Sequence, residues 1–165
     1  MQLPFENMPP NAKIWVYQTD KNLTLQEIET LQTTLNEQVN EWAAHGAPLM
    51  GAFKILHNRF VIIAVDESYN NTSGCSIDAS TNWLKTLGQN LNINFFDRSI
   101  AYLSSNDIKT VDFLNVKNAI ANGDIKPETP IFNNLVNTIS EFKQNWKIKA
   151  ENSWLKKYFV TIPVV

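Results

Sequence analysis

Six consecutive apolar residues, Phe60-Val61-Ile62-Ile63-Ala64-Val65, stop abruptly at Asp66-Glu67. A branched and aromatic run of this length reads as a β-strand, and its side chains alternate between two faces. Both faces are apolar, so the strand is expected to be central and covered on both sides. One helix layer covers one face only. The C-terminal segment or a second copy of the chain must cover the other, which makes a homodimer one solution.

The preceding segment supplies that helix layer. Thr24-Leu25-Gln26-Glu27 has the capping-box spacing, in which a threonine hydroxyl and a glutamate side chain satisfy each other's backbone N–H. Leu25, Ile28, Leu31, Leu35, Val39 and Trp42 follow at helical spacing. Gly46 suits a left-handed stop and Pro48 blocks continuation, so the helix is expected over 25–45. Ile14-Trp15-Val16-Tyr17 reads as a strand before it. Residues 51–57 form another, joined to Phe60–Val65 by a tight turn at Asn58.

After Asp66-Glu67, Tyr69 to Gly74 is a loop by composition. A second helix begins near Ser76, with Ile77, Leu84, Leu87 and Leu91 on its buried side. Ser99 to Tyr102 reads as a fourth strand and Ile108 to Val111 as a fifth. The order strand, helix, strand, strand, helix, strand is that of a ferredoxin-like, split βαβ fold: an α+β architecture with an antiparallel sheet and two helices on one face. A C-terminal helical elaboration follows. Asp112 caps 113–122, Thr138 and Glu141 repeat the capping-box spacing, and Asn152 or Ser153 starts a last short helix. One domain over 11–159 is expected, with tails at 1–10 and 160–165.

Composition narrows the function classes. The 165 residues carry 14 basic and 16 acidic side chains, a net charge of −2, without the basic excess that a nucleic-acid partner selects for. One cysteine forms no internal disulfide. The first residues lack a signal-peptide pattern, and no apolar run approaches the roughly 20 residues of a membrane span. A cytoplasmic chain with no membrane partner is expected.

The most informative six residues are Ser73-Gly74-Cys75-Ser76-Ile77-Asp78. They bring a thiol, two hydroxyls and several backbone N–H groups to a helix start. The unsatisfied N–H groups and the helix dipole favour an anion there, and the same field favours a thiolate. Three readings stand side by side: a plain capped helix with Cys75 packed as a small apolar residue, an anion site built on Ser73, Gly74, Cys75, Ser76 and Asp78, or a reactive Cys75. For the last, His45 and Asp66 are the candidate bases. His45 also suits a helix C-terminus on dipole grounds. Asp66, Glu67, His45, His57 and Cys75 lack metal-ligand spacing, so neither metal nor cofactor is expected. Arg59 and Arg98 interrupt apolar surroundings. Each is expected to pair with a carboxylate, with Asp66, Asp78 and Asp97 as candidates, or to face an anion beside the Ser73–Ser76 loop. Arg98 enters from the far end of the second helix, so it is expected to miss that loop and to pair locally with Asp97 or a C-terminal acid.

Trp15-Val16-Tyr17-Gln18, Trp42-Ala43-Ala44-His45-Gly46, Arg59-Phe60, Val65-Asp66-Glu67, Ser73 to Asp78, Phe96-Asp97-Arg98 and Ile131-Phe132-Asn133-Asn134 together resemble a family of small Bacteroidetes proteins often called "ABC transporter ATPase". The resemblance spans nearly the whole chain. It implies a bacterial, cytoplasmic protein in which His45, Asp66, Cys75, Asp78 and Arg98 are the positions to follow. The sequence departs from the ATPase name, having neither a G-x-x-x-x-G-K-[ST] phosphate loop nor an ABC signature. The expectation is a non-catalytic domain that binds a small anionic ligand or a protein partner at Ser73–Ser76. The alternative is a thiol-dependent enzyme or redox sensor using Cys75.

Overall fold

The computed structural model describes residues 1–160. The elements are β1 (Lys13–Gln18), α1 (Leu25–Glu41), β2 (Ala43–Ala44), β3 (Ala47–Pro48), β4 (Met50–Leu56), β5 (Phe60–Asp66), α2 (Gly74–Leu91), β6 (Ile100–Ser104), β7 (Asp107–Val111), α3 (Val116–Ala121), β8 (Pro130–Phe132), α4 (Ile139–Asn145) and β9 (Lys147–Lys149). All pairings between these strands are antiparallel, and the fold is α+β. Among the described residues, no helix is long and apolar enough to cross a membrane. The expected tail at 160–165 lies, apart from Val160, outside the described residues.

The chain divides into two compact units: 1–97 with 134–143, and 98–133 with the segment from 144 onward. The first unit holds the sheet β1-β5-β4. Phe60 to Asp66 are all buried, as the central apolar run requires. Val61, Ile63 and Val65 face Leu31, Leu35 and Trp42 of the α1 side and Leu84 and Leu87 of α2. The α1 cap forms as expected: the Glu27 N–H donates to Thr24 Oγ1 at 3.1 Å and the Thr24 N–H to Glu27 Oε1 at 2.9 Å. The β4–β5 turn places His57 and Asn58 at φ 55° and 54°.

Helix α1 ends at Glu41, four residues short of expectation. Trp42 leaves the helix with extended backbone at φ −63° and ψ 129°. Its indole is 3 % exposed and meets Trp15 and Trp83 edge-on, at centroid distances of 6.4 and 5.3 Å. Burying that ring outweighs one more helical turn. The following residues form the ribbon β2–β3, and His45 (φ 50°) and Gly46 (φ 81°) make its two-residue turn. Gly46 is left-handed as expected, but in a hairpin rather than at a helix stop.

The expected fourth strand of this sheet is not in it. Ile100–Ser104 pairs with β7 and β8 in a separate sheet of order β7-β6-β8-β9. Two short contacts occupy the outer edge of β1 instead. Phe96 makes a parallel bridge to Gln18, with the Asp97 N–H on the Gln18 carbonyl at 3.1 Å. At the other end Thr138 bridges Lys13, and the Ile14 N–H donates to the Asn137 carbonyl at 3.0 Å. Asn134 Nδ2 also donates to Gln18 Oε1 at 2.9 Å, across 116 positions of sequence.

In the second unit, Ser105 and Asn106 (φ 50° and 68°) turn β6 into β7. Its core joins Ile100, Tyr102, Val116, Ile125, Ile131 and Leu155. The expected helical elaboration is part helix and part strand, since β8 and β9 pair through Ile131 and Ile148. Three-residue strands carry too little alternation to announce themselves. Asp112 makes no side-chain cap; a 3-10 turn at Phe113–Asn115 precedes the shorter α3. Ser153 caps the 3-10 turn Trp154–Tyr158.

Candidate functional site

The Ser73–Ser76 junction is built from three directions. Ser73 and Ser76 form a capping box: the Ser76 N–H donates to Ser73 Oγ at 3.1 Å, and the Ser73 N–H to Ser76 Oγ at 2.8 Å. Behind them, Trp42 Nε1–H donates to the Ser76 carbonyl at 2.8 Å. Asn70 Nδ2 reaches the Pro48 carbonyl at 2.7 Å. The open end of the β2–β3 ribbon is therefore tied to the start of α2 on one strand and to the loop on the other.

Glu67 fixes the loop from below. It accepts from the Thr72 N–H and from Thr72 Oγ1, both at 2.8 Å, and pairs with Lys13 Nζ at 2.7 Å. Partial burial pushes the Glu67 carboxyl up, but the Lys13 and Thr72 bonds outweigh it and hold the group below the usual carboxylate range. Asp66 is 7 % exposed and accepts from the Ser68 N–H at 3.0 Å. Both carboxylates are thus committed to holding the loop's shape.

Cys75 is exposed, against the reading in which it packs as a small apolar residue. It occupies the second position of an 18-residue helix, where the side chain projects outward while the buried side is taken by Ser76, Ser80, Leu84 and Leu87. Gly74 is exposed as well, and a Cβ built on it meets nothing within 4 Å. Among the described residues, the N–H groups of Gly74 and Cys75 have no capping acceptor. Asp78 is exposed and stands outside the cap.

His45 is exposed at the ribbon turn, so the expected helix-dipole partnership does not exist. Arg98 is exposed and opens the second unit. Arg59 is buried and pairs with none of the expected aspartates. Its Nη1 donates to Asn22 Oδ1 at 3.2 Å. It also stands at the wrong end for the Ser73 loop, because the seven residues of β5 separate it from Asp66 by roughly 20 Å of strand.

Lys13, Thr72 and Trp42 Nε1 are the contributors that sequence reasoning missed. Lys13 reaches Glu67 because Lys13 lies opposite Val65 in the β1–β5 register, a pairing that no local pattern announces. Among the described residues, no group of three or more His, Cys, Asp or Glu side chains is placed to hold a metal ion. Comparison of the chain with protein-family models, curated proteins and solved structures yields no match.

Proposed function

We propose that the chain is a non-catalytic binding domain whose contact point is the Ser73-Gly74-Cys75 turn, exposed at Gly74 and Cys75, taking a small anionic ligand or an anionic group of a protein partner. One observation carries the reading. The turn presents two uncapped N–H groups of a long helix to open space, while the neighbouring carboxylates that would serve as bases are bonded to the scaffold. Uncapped N–H groups at a helix start, with the dipole behind them, attract an anion. We read β1, α1, β4, β5 and α2 as the split-βαβ part of the fold, with the loop after its central strand as the place of binding. Cytoplasmic residence, as the family resemblance implies, belongs to the same reading.

Titration of labelled protein with inorganic phosphate tests it. The Gly74 and Cys75 amide signals should shift saturably, and Gly74→Pro should abolish the shift by removing one donor. Unmoved amides at tens of millimolar phosphate overturn the anion reading.

The exposure of Cys75 favours a second reading, a thiol-dependent enzyme or redox sensor. Alkylation of Cys75 at neutral pH discriminates. A rate about tenfold or more above that of free glutathione supports the thiol reading, because rate follows thiolate content. A rate similar to glutathione's supports the binding domain.

A further inference from the structure

Arg59 precedes the central strand and is 8 % exposed. Its Nε is sealed from solvent and has no hydrogen-bond partner. The side chain's one bond is from Nη1 to Asn22 Oδ1, and no ion pair among the described residues includes it. A buried guanidinium without a carboxylate is disfavoured by the loss of its hydration, and an orphaned buried N–H calls for an acceptor. The edge carrying Nε and Nη2 is the one that matches two oxygens of a carboxylate or phosphate side by side. Among the described residues, that edge has no protein acceptor.

Backbone hydrogen bonds join the segments on either side, and the nearby Asp20 carboxylate accepts from the Asn94 N–H at 3.1 Å. The Arg59 carbonyl accepts from the Thr19 N–H at 2.9 Å and from Thr19 Oγ1 at 3.1 Å. The Leu23 N–H donates to the Asn58 carbonyl at 2.7 Å, fastening the β1–α1 loop to the β4–β5 turn. Asn22 stands two residues ahead of Thr24, the N-cap of the 17-residue α1. A cation there lies at the positive end of a helix dipole, the unfavourable end for it. The nearest acid of that first turn is already used: Glu27 takes the Thr24 N–H on one oxygen and Lys21 Nζ, at 3.0 Å, on the other. An anion seated at this point meets both an unpaired guanidinium and a helix N-terminus.

We propose that Arg59, with Asn22 at its rim, forms a second anion site that takes the oxyanion of a phosphate or carboxylate side-on, at the end of β5 opposite the Ser73 loop. Nε is closed to solvent, so an anion reaches it only when the β1–α1 loop at exposed Asn22 gives way. With Oδ1 engaged by Arg59, its Nδ2 remains to donate to the ligand. Burial of Arg59 restricts the ligand to one small oxyanion group, free or at the tip of a larger molecule.

The chain has two arginines, Arg59 and Arg98, which makes the test direct. Each gives one Nε–H signal in a nitrogen-correlated spectrum, assigned with Arg98→Lys. Inorganic phosphate and acetate are titrated separately into the full chain, against chloride at matched ionic strength. The Arg59 signal should move saturably with one of the two anions, which identifies the class, while exposed Arg98 stays in place. Asn22→Ala, at an exposed position, should weaken the fitted affinity roughly two- to tenfold, the share of one hydrogen bond. An Arg59 signal that ignores both anions, as it would with a trapped water as acceptor, overturns the site. So does parallel, unsaturable drift of both arginine signals. The readout is independent of the Gly74 and Cys75 amides, so either site can fail without the other.

Discussion

Replacing Trp42 by phenylalanine separates its two duties. The indole fills the core between Trp15 and Trp83, and its N–H joins the end of α1 to the first turn of α2 through the Ser76 carbonyl. A phenyl ring keeps most of the edge contacts, so the change removes one buried hydrogen bond and part of a ring. The bond is worth about 0.5–1.5 kcal/mol. The lost ring volume adds about 1–2 kcal/mol, by analogy with removal of one or two buried methylenes. Trp42→Phe should therefore cost about 1.5–3.5 kcal/mol, and Trp42→Ala about 3–5 kcal/mol. Urea unfolding measures both, with an unchanged slope as the sign that only stability has moved. A Trp42→Phe variant within about 0.5 kcal/mol of the parent would refute the bridging role, since that is the range of ordinary surface changes.

Gly88→Ala sets propensity against packing. A helical glycine replaced by alanine normally gains about 0.5–1 kcal/mol. Here the new Cβ would overlap the Ile93 carbonyl oxygen, and the Ile93 N–H to Gly88 carbonyl bond at 2.9 Å holds that segment in place. A net loss of about 1–3 kcal/mol is expected, and a more stable variant in thermal unfolding would refute it. Thr24→Ala and Ser73→Ala each remove half of a capping box and should each cost about 0.5–2 kcal/mol; an unchanged urea midpoint for either means its box does not form in solution. Glu67 has a folded value below its unfolded one, so its stabilisation is complete above the unfolded value and is lost as pH falls through the folded value. Glu67→Gln should therefore lower stability at neutral pH by up to about 1 kcal/mol and flatten the acid limb of the stability profile; an unchanged limb would sink this assignment.

Features fixed by neighbours in sequence were legible, and those fixed by distant partners were not. Thr24 and Glu27 announce α1 because the capping box is complete within four residues. Phe60–Val65 announces a covered strand because alternation is absent on both faces. Helix α1 stops before its spacing predicts because Trp42 gains more from Trp15, Trp83 and Ser76 than from continuing the helix. Ile100–Ser104 looks like any strand, and only its pairing with β7 and β8 decides which sheet receives it. At the site, the Ser73–Ser76 cap was readable, whereas the Lys13–Glu67 pair depends on cross-strand register. Arg59 stood out by contrast with its surroundings. Its partner Asn22 did not, because a loop asparagine 37 positions earlier carries no signal of where it will lie.

The return of Asn134–Lys143 to β1 has a consequence for how the chain matures. The Ile14 N–H finds its outer-edge acceptor at Asn137, and the Gln18 side chain its donor at Asn134, both more than a hundred positions later. Such distant pairings close late, because the chain must order a long loop before the contact forms. During synthesis Phe96 and Asp97 can cover the Gln18 end of β1, but its Lys13–Ile14 end stands bare from the time the first 97 residues have emerged until 134–143 follow. At about 5–20 residues per second that interval lasts on the order of seconds. An unpaired strand edge is a template for pairing with another chain. The interval before 134–143 arrives is therefore when a nascent copy is most open to strand exchange with a neighbour or to capture by a chaperone.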